Sequence, residues 1–505
     1  MNNKSIKIVL FILLIILLLI VFFLSLLGTS LSLDSIDNIK KDRKESTYNK
    51  DIKINGIKMV YDKDNNIYYL SLPNKKSNEL YILKLDIAGY KYRLVNKNSN
   101  IIKIDYKKTY KLILYNNKNY STINIRITNL PILNINSQDS ITDNKVKGNL
   151  SYISSNGSID ENIKIKVRGN TSRWYNKKSY KIYVYNKNYS KEKKIVLSNF
   201  EPLDSFILDA NYRDSSKIRN GIAFDLWSLF NDDFTSIDIK YENVEVFING
   251  VYNGLYMLIT PVKRQTLNLN KTSDNDTSII IKEDNRDHSK TGSYSDVDEE
   301  NRDNFIIKYP NDTNWYKKVW KKSLNILEKY YNDNTYNSYE IVKNTFNITN
   351  YVDLVLFNSF ISNNDNSLSK NNYIYMNSMN DDVFYIQPWD MEFSMGFHWC
   401  DNCTRNSRLD KDDYKSIDVK IDKESDEIKK LIIKRYKYLR KYVLTKSNIN
   451  KLIDTRMNEI KYASIRDSEK WYEYDVEKEI DIVRNWLLKR LNIYDKYIED
   501  IANEL

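Results

Sequence analysis

The chain has 505 residues, a formal net charge of +11 and only two histidines, His288 and His398. So few histidines leave Ser-His-Asp and Cys-His catalysis almost without a base and argue against a His-rich metal centre, so acid–base chemistry falls to Asp, Glu, Lys or Tyr. Acidic residues (67) are nearly as frequent as basic ones (78) and the charge forms no basic stripe, which argues against nucleic-acid binding.

The N-terminus carries an apolar run from Ile8 to Gly28, in which Ser25 is the only polar side chain. A helix of that length spans a hydrocarbon core, whereas the apolar region of a secretory signal is shorter, so residues 1–28 are predicted to be an uncleaved transmembrane anchor. Lys4 and Lys7 precede the run and, by the positive-inside rule, predict a cytoplasmic N-terminus. The expected localisation is the cell membrane, with a single pass and the bulk of the chain extracytoplasmic.

Four stretches with different patterns follow the anchor. Residues 29–50 are polar and charged, as in a linker. Alternating runs such as IYYLSL and INIRITNL fill residues 51–132 and predict a small all-β, sandwich-like domain that acts as a spacer. Residues 133–427 mix strand and helix patterns and are predicted to form an α+β domain. Residues 428–505 show helical spacing with many charges and are predicted to be a helical extension of that domain.

Several elements of the α+β part can be placed. IKIKVRGN and KSYKIYVY predict two strands, and VEVFINGVYNGLYMLI predicts a hairpin around Asn249-Gly250. Apolar residues recur at helical spacing over Ile218–Phe230, Tyr316–Tyr331 and Tyr351–Ile361. YIYMNS and VFYIQPWD then predict a further pair of strands.

Acidic and amide residues follow the last of these helices. Asp365 lies in an Asn-rich turn, Asn371 and Asn372 come next, and Asp390 closes a strand after Trp389. The protein-kinase site has the same order, with a loop Asp that orients the hydroxyl and then an Asn and a second Asp that hold Mg²⁺. Because Asp and Asn are frequent throughout this chain, turn caps and strand ends explain the pattern better when spacing alone is considered.

Six segments resemble motifs of the spore-coat protein H (CotH) kinase family. They are, in chain order, KVRGNTSRWYNKKSYKIYV, LDANYRDSSKIRNGIAFDL, VEVFINGVYNGLYML, FIIKYP, NNDNSLSKNNYIYM and PWDMEFSMG. The resemblance covers roughly Pro131 to Gly396 and leaves the anchor, the β domain and the C-terminal helices outside. It implies an atypical protein-kinase-like domain of two lobes, with ATP between them and Mg²⁺ (or Mn²⁺) as the metal.

The resemblance also implies roles on the metal side of the site. Asp365 matches the catalytic carboxylate, and Asp390 matches the metal-binding carboxylate of the family's Trp-Asp motif. Asn372 and Glu392 are the further metal-ligand candidates. The family usually has Asp where this chain has Glu392, and it often has Glu where this chain has Thr260. Both departures bear on whether the site is active.

On the nucleotide side, the resemblance implies a set of cations, as a charged γ-phosphate requires. Lys178 is the best match for the lysine that contacts the phosphates, with a catalytic and a nucleotide-binding role, and Lys177 and Lys181 are alternatives. Arg168 and Arg173 match a basic pair near the phosphates. The remaining candidates are Lys282, for the nucleotide, and Asp214 with Arg219, which match a structural or phosphate-facing ion pair.

Cys400 and Cys403 form one C-x-x-C beside His398. A lone motif of this kind is a weak signal. Because the compartment predicted above is not the reducing cytosol, a structural disulfide is favoured. A metal role shared with His398 is the alternative.

Three functions fit these observations. The leading one is a membrane-anchored protein kinase that phosphorylates Ser or Thr of surface or spore-coat proteins. The second is a non-catalytic assembly or adhesion protein that keeps a kinase-like fold, which the departures at Thr260 and Glu392 favour. The third is nucleotidyl transfer from the same site.

Overall fold

The computed structural model describes residues 35–48, 51–95, 99–169, 171–230, 239–284, 301–302, 305–332, 338–363, 366, 370–397, 421 and 424–505. The predicted anchor over residues 1–28, the predicted catalytic residue Asp365 and the predicted disulfide between Cys400 and Cys403 all lie outside these residues. Among the helices of the described part, none is both long and apolar enough to span a membrane.

The chain divides into two compact units. One comprises residues up to Gln138 with Gly148–Glu161 and Val244–Gly254, and the other comprises Asp139–Lys147, Asn162–Asn243 and Leu255–Leu505. Each unit combines segments that lie far apart in the sequence, whereas the sequence analysis predicts domains that follow one another along the chain.

The first unit contains the β-rich stretch that the alternating runs predict. Its main sheet has the strand order β4-β5-β11-β10-β8, with β1 paired to β11. Within the stretch predicted as a linker, helix α1 (Ile36–Lys41) packs Ile39 against Ile113 and Tyr115. The strands are β1 (Lys44–Glu45), β2 (Lys53–Ile54), β3 (Ile57–Lys58), β4 (Val60–Asp62), β5 (Ile67–Ser71), β6 (Leu80–Ile82), β7 (Leu85–Asp86), β8 (Lys91–Leu94), β9 (Ile101–Lys103), β10 (Thr109–Tyr115) and β11 (Asn119–Thr128).

The next seven strands close into a barrel in the order β12-β13-β14-β15-β16-β18-β17, an architecture the sequence did not predict. Apolar residues alternate with polar ones along β14 and β15, so Ile165 and Ile182 are buried while their neighbours Lys166 and Lys181 point to the opposite face. The predicted hairpin is present, with Asn249 and Gly250 at positive φ. The strands are β12 (Ile132–Ser137), β13 (Val146–Ser154), β14 (Gly157–Arg168), β15 (Ser179–Tyr185), β16 (Ser205–Asp209), β17 (Tyr241–Ile248) and β18 (Val251–Ile259).

A five-stranded sheet of order β20-β21-β19-β22-β23 and most of the helices complete the second unit. Together with the barrel they confirm the mixed α+β class. The strands are β19 (Ile279–Asp284), β20 (Asn301–Arg302), β21 (Phe305–Tyr309), β22 (Lys370–Met376) and β23 (Tyr385–Pro388). The helices are α2 (Arg219–Phe230), α3 (Tyr316–Asn332), α4 (Tyr339–Thr345), α5 (Ile348–Ile361), α6 (Asp426–Tyr442), α7 (Lys446–Trp471) and α8 (Val476–Glu504).

Helix α5 lies at the centre of this helical part. Asn347 caps its first turn, and every residue from Asn350 to Ile361 is buried. From α8, the buried Arg490 donates hydrogen bonds to the carbonyl oxygens of Ser359 and Phe360, the last turn of α5. The C-terminal helices therefore fix the end of α5, from which the loop toward Asp390 departs.

Candidate active site

Asp390 lies where the chain leaves the β22–β23 pair. Strand β23 ends at Pro388, opposite the buried Asn372, and the Trp389 N–H donates to the carbonyl oxygen of Asn371 at 2.9 Å. Asp390 itself has φ 61°, in the left-handed region that Asp tolerates better than most residues, and its side chain is exposed. The sharp change of direction thus presents a carboxylate at the end of a buried strand.

Three hydrogen bonds tie the end of α5 and the loop after it to this strand end. The amide of buried Asn366 donates from Nδ2 to the carbonyl oxygens of Asn371 and Trp389, both at 3.0 Å. After Asp390, the Met395 N–H donates to the Ile361 carbonyl at 2.7 Å. Asn366, the residue after Asp365, is therefore held against the residue that precedes Asp390.

Further carboxylates surround Asp390. Asn220, at the start of α2, donates from Nδ2 to Asp209 at 3.0 Å and accepts from the Met391 N–H at 3.3 Å, so it joins the end of β16 to the chain after Asp390. Desolvation of the Glu392 carboxyl, and then the nearby carboxylates of Asp209, Asp390 and Asp214, raise the pKa of Glu392 well above its usual range. The carboxylates on this side of the site therefore disfavour the ionised form of Glu392.

A group of cations lies on the outward face of β14 and β15. Lys181 faces Lys166 across the strand pair. Burial lowers the pKa of Lys181 to about 8, and the charges of Lys263, Arg168 and Lys308 add to this effect along with that of Lys166. A polyanion in contact with Lys181 would offset this repulsion.

Arg168 connects this group to the strand end at Asp390. Its guanidinium carbon lies 5.9 Å from the ring centroid of Trp389, the residue next to Asp390. That distance is within the range of a cation–π contact. The cations on β14 and β15 and the carboxylate after β23 are thus neighbours in space, although more than 200 residues separate Arg168 from Asp390 in the sequence.

The other predicted nucleotide-binding residues are placed differently. Lys178 directly precedes β15, and its ammonium donates to the Arg173 carbonyl at 2.6 Å. The Arg173 guanidinium binds the Gly169 carbonyl and lies 3.4 Å from Asp143, with both side chains about half exposed. These contacts close the turn between β14 and β15. Lys282 lies on β19, in register with Tyr373 of β22.

Lys177, an alternative for the phosphate-contacting lysine, is fully buried. Its ammonium donates to the Ala210 carbonyl at 2.9 Å, to the Leu255 carbonyl and to the Asp467 carboxylate at 2.7 Å. An ammonium group has three N–H donors, so these bonds leave none for a phosphate. Lys177 therefore has a structural role.

The predicted Asp214–Arg219 ion pair is present and buried, with the two charged atoms 2.5 Å apart. Burial alone would raise the pKa of Asp214, but Arg219 and the hydrogen bonds from Ser216 and the Arg219 N–H hold it below its usual value. The pair fixes the start of α2, and so the position of Asn220. Thr260, where the family often has Glu, is buried and bonds the backbone N–H and carbonyl of Lys240.

The described residues contain no group of three or more His, Cys, Asp or Glu side chains that could hold a metal ion. Asp390 and Glu392 nevertheless provide two carboxylates of the hard type that Mg²⁺ and Mn²⁺ prefer, and Mg²⁺ commonly binds through one or two protein carboxylates with water and phosphate oxygens. A divalent cation would also relieve the repulsion between Glu392 and the carboxylates of Asp209 and Asp390. The donor set therefore fits the metal implied by the sequence.

Sequence reasoning missed Asp209 and Asp467. Asp209 is the second residue of the segment LDANYRDSSKIRNGIAFDL, but no role was assigned to it, and Asp467 lies on α7 among many other charged residues. For Lys181 a signal existed, because the alternation in KSYKIYVY places it on the face opposite Ile182.

A family model described as CotH kinase protein matches residues 165–494. No curated protein matches the chain. The match runs through α6 and α7 and into α8, so the interpretation that ended the resemblance at Gly396 and left the C-terminal helices outside it was wrong. The barrel strands from β15 onward, the Asp390 strand end and the helix that carries Asp467 all fall within one family match.

Proposed function

This chain belongs to the CotH kinase family, and on that premise we propose that it is an atypical protein kinase that transfers the γ-phosphoryl group of ATP to Ser or Thr of surface or spore-coat proteins. The observation that carries the proposal is the proximity of the Arg168 guanidinium to Trp389, at 5.9 Å, because it brings phosphate-binding cations next to the metal-binding carboxylate Asp390. In this proposal the domain has two lobes, and ATP binds between the outward face of β14–β15 and the strand end at Asp390.

Each side of the site then has a defined task. Lys181 and Arg168 bind phosphate oxygens. Lys181 replaces Lys178 as the first candidate for the phosphate-contacting lysine, because its strongest electrostatic neighbours are cations and include no carboxylate. Asp390 and Glu392 would hold Mg²⁺ or Mn²⁺, with Asn372 as a further oxygen donor from the adjacent strand. When bound, the metal neutralises charge on the phosphate oxygens.

The hydroxyl of the substrate is oriented by Asp365 in this proposal. Support comes from Asn366, whose side chain anchors the adjacent backbone to the Asn371 and Trp389 carbonyls. Positioning and electrostatic stabilisation account for most of the catalysis of phosphoryl transfer, so a fixed loop and a pre-arranged set of charges suffice without a histidine base.

The alternative, a non-catalytic assembly or adhesion protein, rests on the departures at Thr260 and Glu392. Thr260 joins the end of β18 to the backbone of Lys240, and the buried Lys177 has its carboxylate partner in Asp467. The missing Glu at position 260 therefore does not leave Lys177 without a carboxylate. Glu392 stays the departure on which the alternative depends.

Incubation of the full-length protein with Mg-ATP or Mn-ATP tests the proposal. We expect incorporation of phosphate into the protein itself or into an added Ser/Thr-rich protein, and its loss in Asp390→Asn. The exposed Asp143→Asn variant serves as the control. Equal incorporation by Asp390→Asn would refute the assigned site. Absence of any incorporation, with no thermal stabilisation by millimolar ATP, would favour the non-catalytic alternative. Mass spectrometry distinguishes added phosphate from added AMP.

We also propose that the protein is anchored in the cell membrane by residues 1–28, with the catalytic domain outside the cytoplasm. The apolar run from Ile8 to Gly28 and the preceding Lys4 and Lys7 support this placement. Protease treatment of intact cells tests it, because only an extracytoplasmic domain is cleaved.

A further inference from the structure

One buried carboxylate on the C-terminal helix α7 contacts several segments around the site. Asp467 is fully buried and accepts hydrogen bonds from the Lys177 ammonium at 2.7 Å, the Leu255 N–H at 2.9 Å and the Tyr474 hydroxyl at 3.1 Å. The ammonium of Lys217 lies 3.5 Å from its second oxygen. The nearest of these lysines in sequence is 250 positions away, so the contacts join distant parts of the chain.

The two lysines also bind one short stretch of backbone. Lys177 donates to the Ala210 carbonyl at 2.9 Å, and Lys217 donates to the Asn211 carbonyl at 2.7 Å. Ala210 and Asn211 directly follow Asp209, the last residue of β16. Asp467 thus neutralises both ammonium groups that hold the chain immediately after Asp209.

From Asp209, further hydrogen bonds lead to the Asp390 strand end. The Asp209 carboxylate accepts from Asn220 Nδ2 at 3.0 Å, and Asn220 Oδ1 accepts from the Met391 N–H at 3.3 Å. Met391 follows Asp390 in the chain. A continuous path of polar contacts therefore runs from α7, through two buried lysines and the turn after β16, to the peptide next to the proposed metal ligand.

The charges in this path are buried and their hydrogen bonds are specific. Lys177 and Lys217 are almost without solvent exposure, and Asp467 is the carboxylate that both of them contact. Breaking a buried ion pair on one side leaves an uncompensated charge and is strongly destabilising, whereas replacing both partners with apolar residues is often tolerated. The path can therefore be cut without leaving a buried charge behind.

We propose that Asp467 is a positioning residue for phosphoryl transfer, and that helix α7 is an integral part of the catalytic site because it sets the place of Asp390 through Lys177, Lys217 and Asn220. The inference rests on the proposed kinase function for its consequence, but its structural claim can be measured independently of activity. Asp467 itself touches no substrate in this proposal.

The test uses the full-length protein with the triple substitution Lys177→Met/Lys217→Met/Asp467→Leu, which removes all three buried charges. Lys217→Met is the second variant, since it leaves the Lys177–Asp467 pair balanced while it removes the contacts of Lys217 to Asn211 and to Asp467. Asp454→Asn is the matched control on the same helix, because Asp454 forms an exposed ion pair with Arg484 at 2.6 Å. Circular dichroism and a thermal melt establish that each variant folds.

Two readouts decide the outcome. Hydrogen exchange should become roughly tenfold faster or more in the peptide that contains Met391, while the buried strand β15 exchanges as before. The Mg²⁺ concentration for half-maximal phosphoryl transfer should rise by roughly tenfold, because a displaced Asp390 binds the metal less well, and the control should match the wild type in both. A general loss of folded protein would lower the amount of active enzyme without changing this concentration.

Unchanged exchange at Met391 in either folded variant would overturn the inference, and so would an unchanged Mg²⁺ dependence. If the triple variant does not fold, Lys217→Met alone decides by the same two readouts. Wild-type protein that transfers no phosphate would overturn the proposed function instead, and the exchange measurement would still decide whether Asp467 positions the strand end.

Discussion

Glu424 gives the chain a pH dependence that one substitution should remove. Glu424 lies just before α6, is only 8% exposed, and accepts the Tyr351 hydroxyl with both carboxylate oxygens at 3.2 Å. Burial raises its pKa from 4.5 to about 7, despite the opposing effects of Tyr351 and Lys429. Glu424→Gln keeps the shape and an acceptor for the hydroxyl but cannot ionise.

The sign of the effect follows from proton uptake. Between pH 4.5 and 7 the folded protein binds more protons at Glu424 than the unfolded chain, so the free energy of unfolding falls as the pH rises through this window. Complete ionisation of Glu424 lowers the free energy of unfolding by about 3 kcal/mol. About 2.5 kcal/mol of this loss occurs between pH 5 and pH 8. The Gln variant lacks this loss, so its stability relative to the wild type should increase by about that amount over the same range.

Urea unfolding of the wild type and Glu424→Gln at pH 5, 6, 7 and 8 measures the difference. Tryptophan fluorescence is a suitable probe, and Glu427→Gln is the control because Glu427 is exposed in the first turn of the same helix. A difference between Glu424→Gln and the wild type that stays constant from pH 5 to pH 8 would refute the reasoning. A loss of the Tyr351 contact shifts the difference equally at every pH and so remains distinguishable.

Three further predictions concern single side chains. Lys181→Met should weaken ATP binding by roughly tenfold or more in isothermal titration, yet leave the melting temperature at pH 7 equal or higher, because it removes a buried ammonium among like charges. Asp214→Asn should lower the free energy of unfolding by about 3–5 kcal/mol in urea titration, since it leaves the buried Arg219 charge without its partner. Gly396→Ala should cost about 1–3 kcal/mol by the same measurement, because Gly396 has φ 80° and a Cβ there would lie 2.7 Å from the Trp486 ring.

The local elements were predictable because their signals lie within a few residues. The alternation in KSYKIYVY predicts β15, the apolar spacing predicts α2 to within one residue, and Asn249-Gly250 predicts a hairpin. At each of these places side-chain period and turn chemistry agree with the fold. The contacts of Asn366 join the loop after α5 to the end of β23, whereas the Asp-Asn-Asp order by itself was better explained by turn caps and strand ends.

The barrel and the Asp467 contacts could not be predicted in this way. The barrel closes through the parallel pairing of β12 with β17. The paired residues lie more than 100 positions apart, and no local sequence pattern indicates which residues pair. Asp467 sits 290 positions from Lys177 on a helix rich in exposed charges, so nothing in its neighbours distinguishes it from a surface residue. Both features depend on pairings between distant segments, which a single sequence does not specify.

The place of Asp467 near the end of the chain has a consequence for biosynthesis. The barrel strands are made long before α7, so Lys177 and Lys217 emerge from the ribosome more than 200 residues ahead of the carboxylate that neutralises them. Until that helix is synthesised and docks, the two ammonium groups that bind the Ala210 and Asn211 carbonyls cannot be buried at low cost. On the proposal that Asp467 positions the Asp390 strand end, a growing or prematurely ended chain lacks this support, and the site is complete only when synthesis is almost complete.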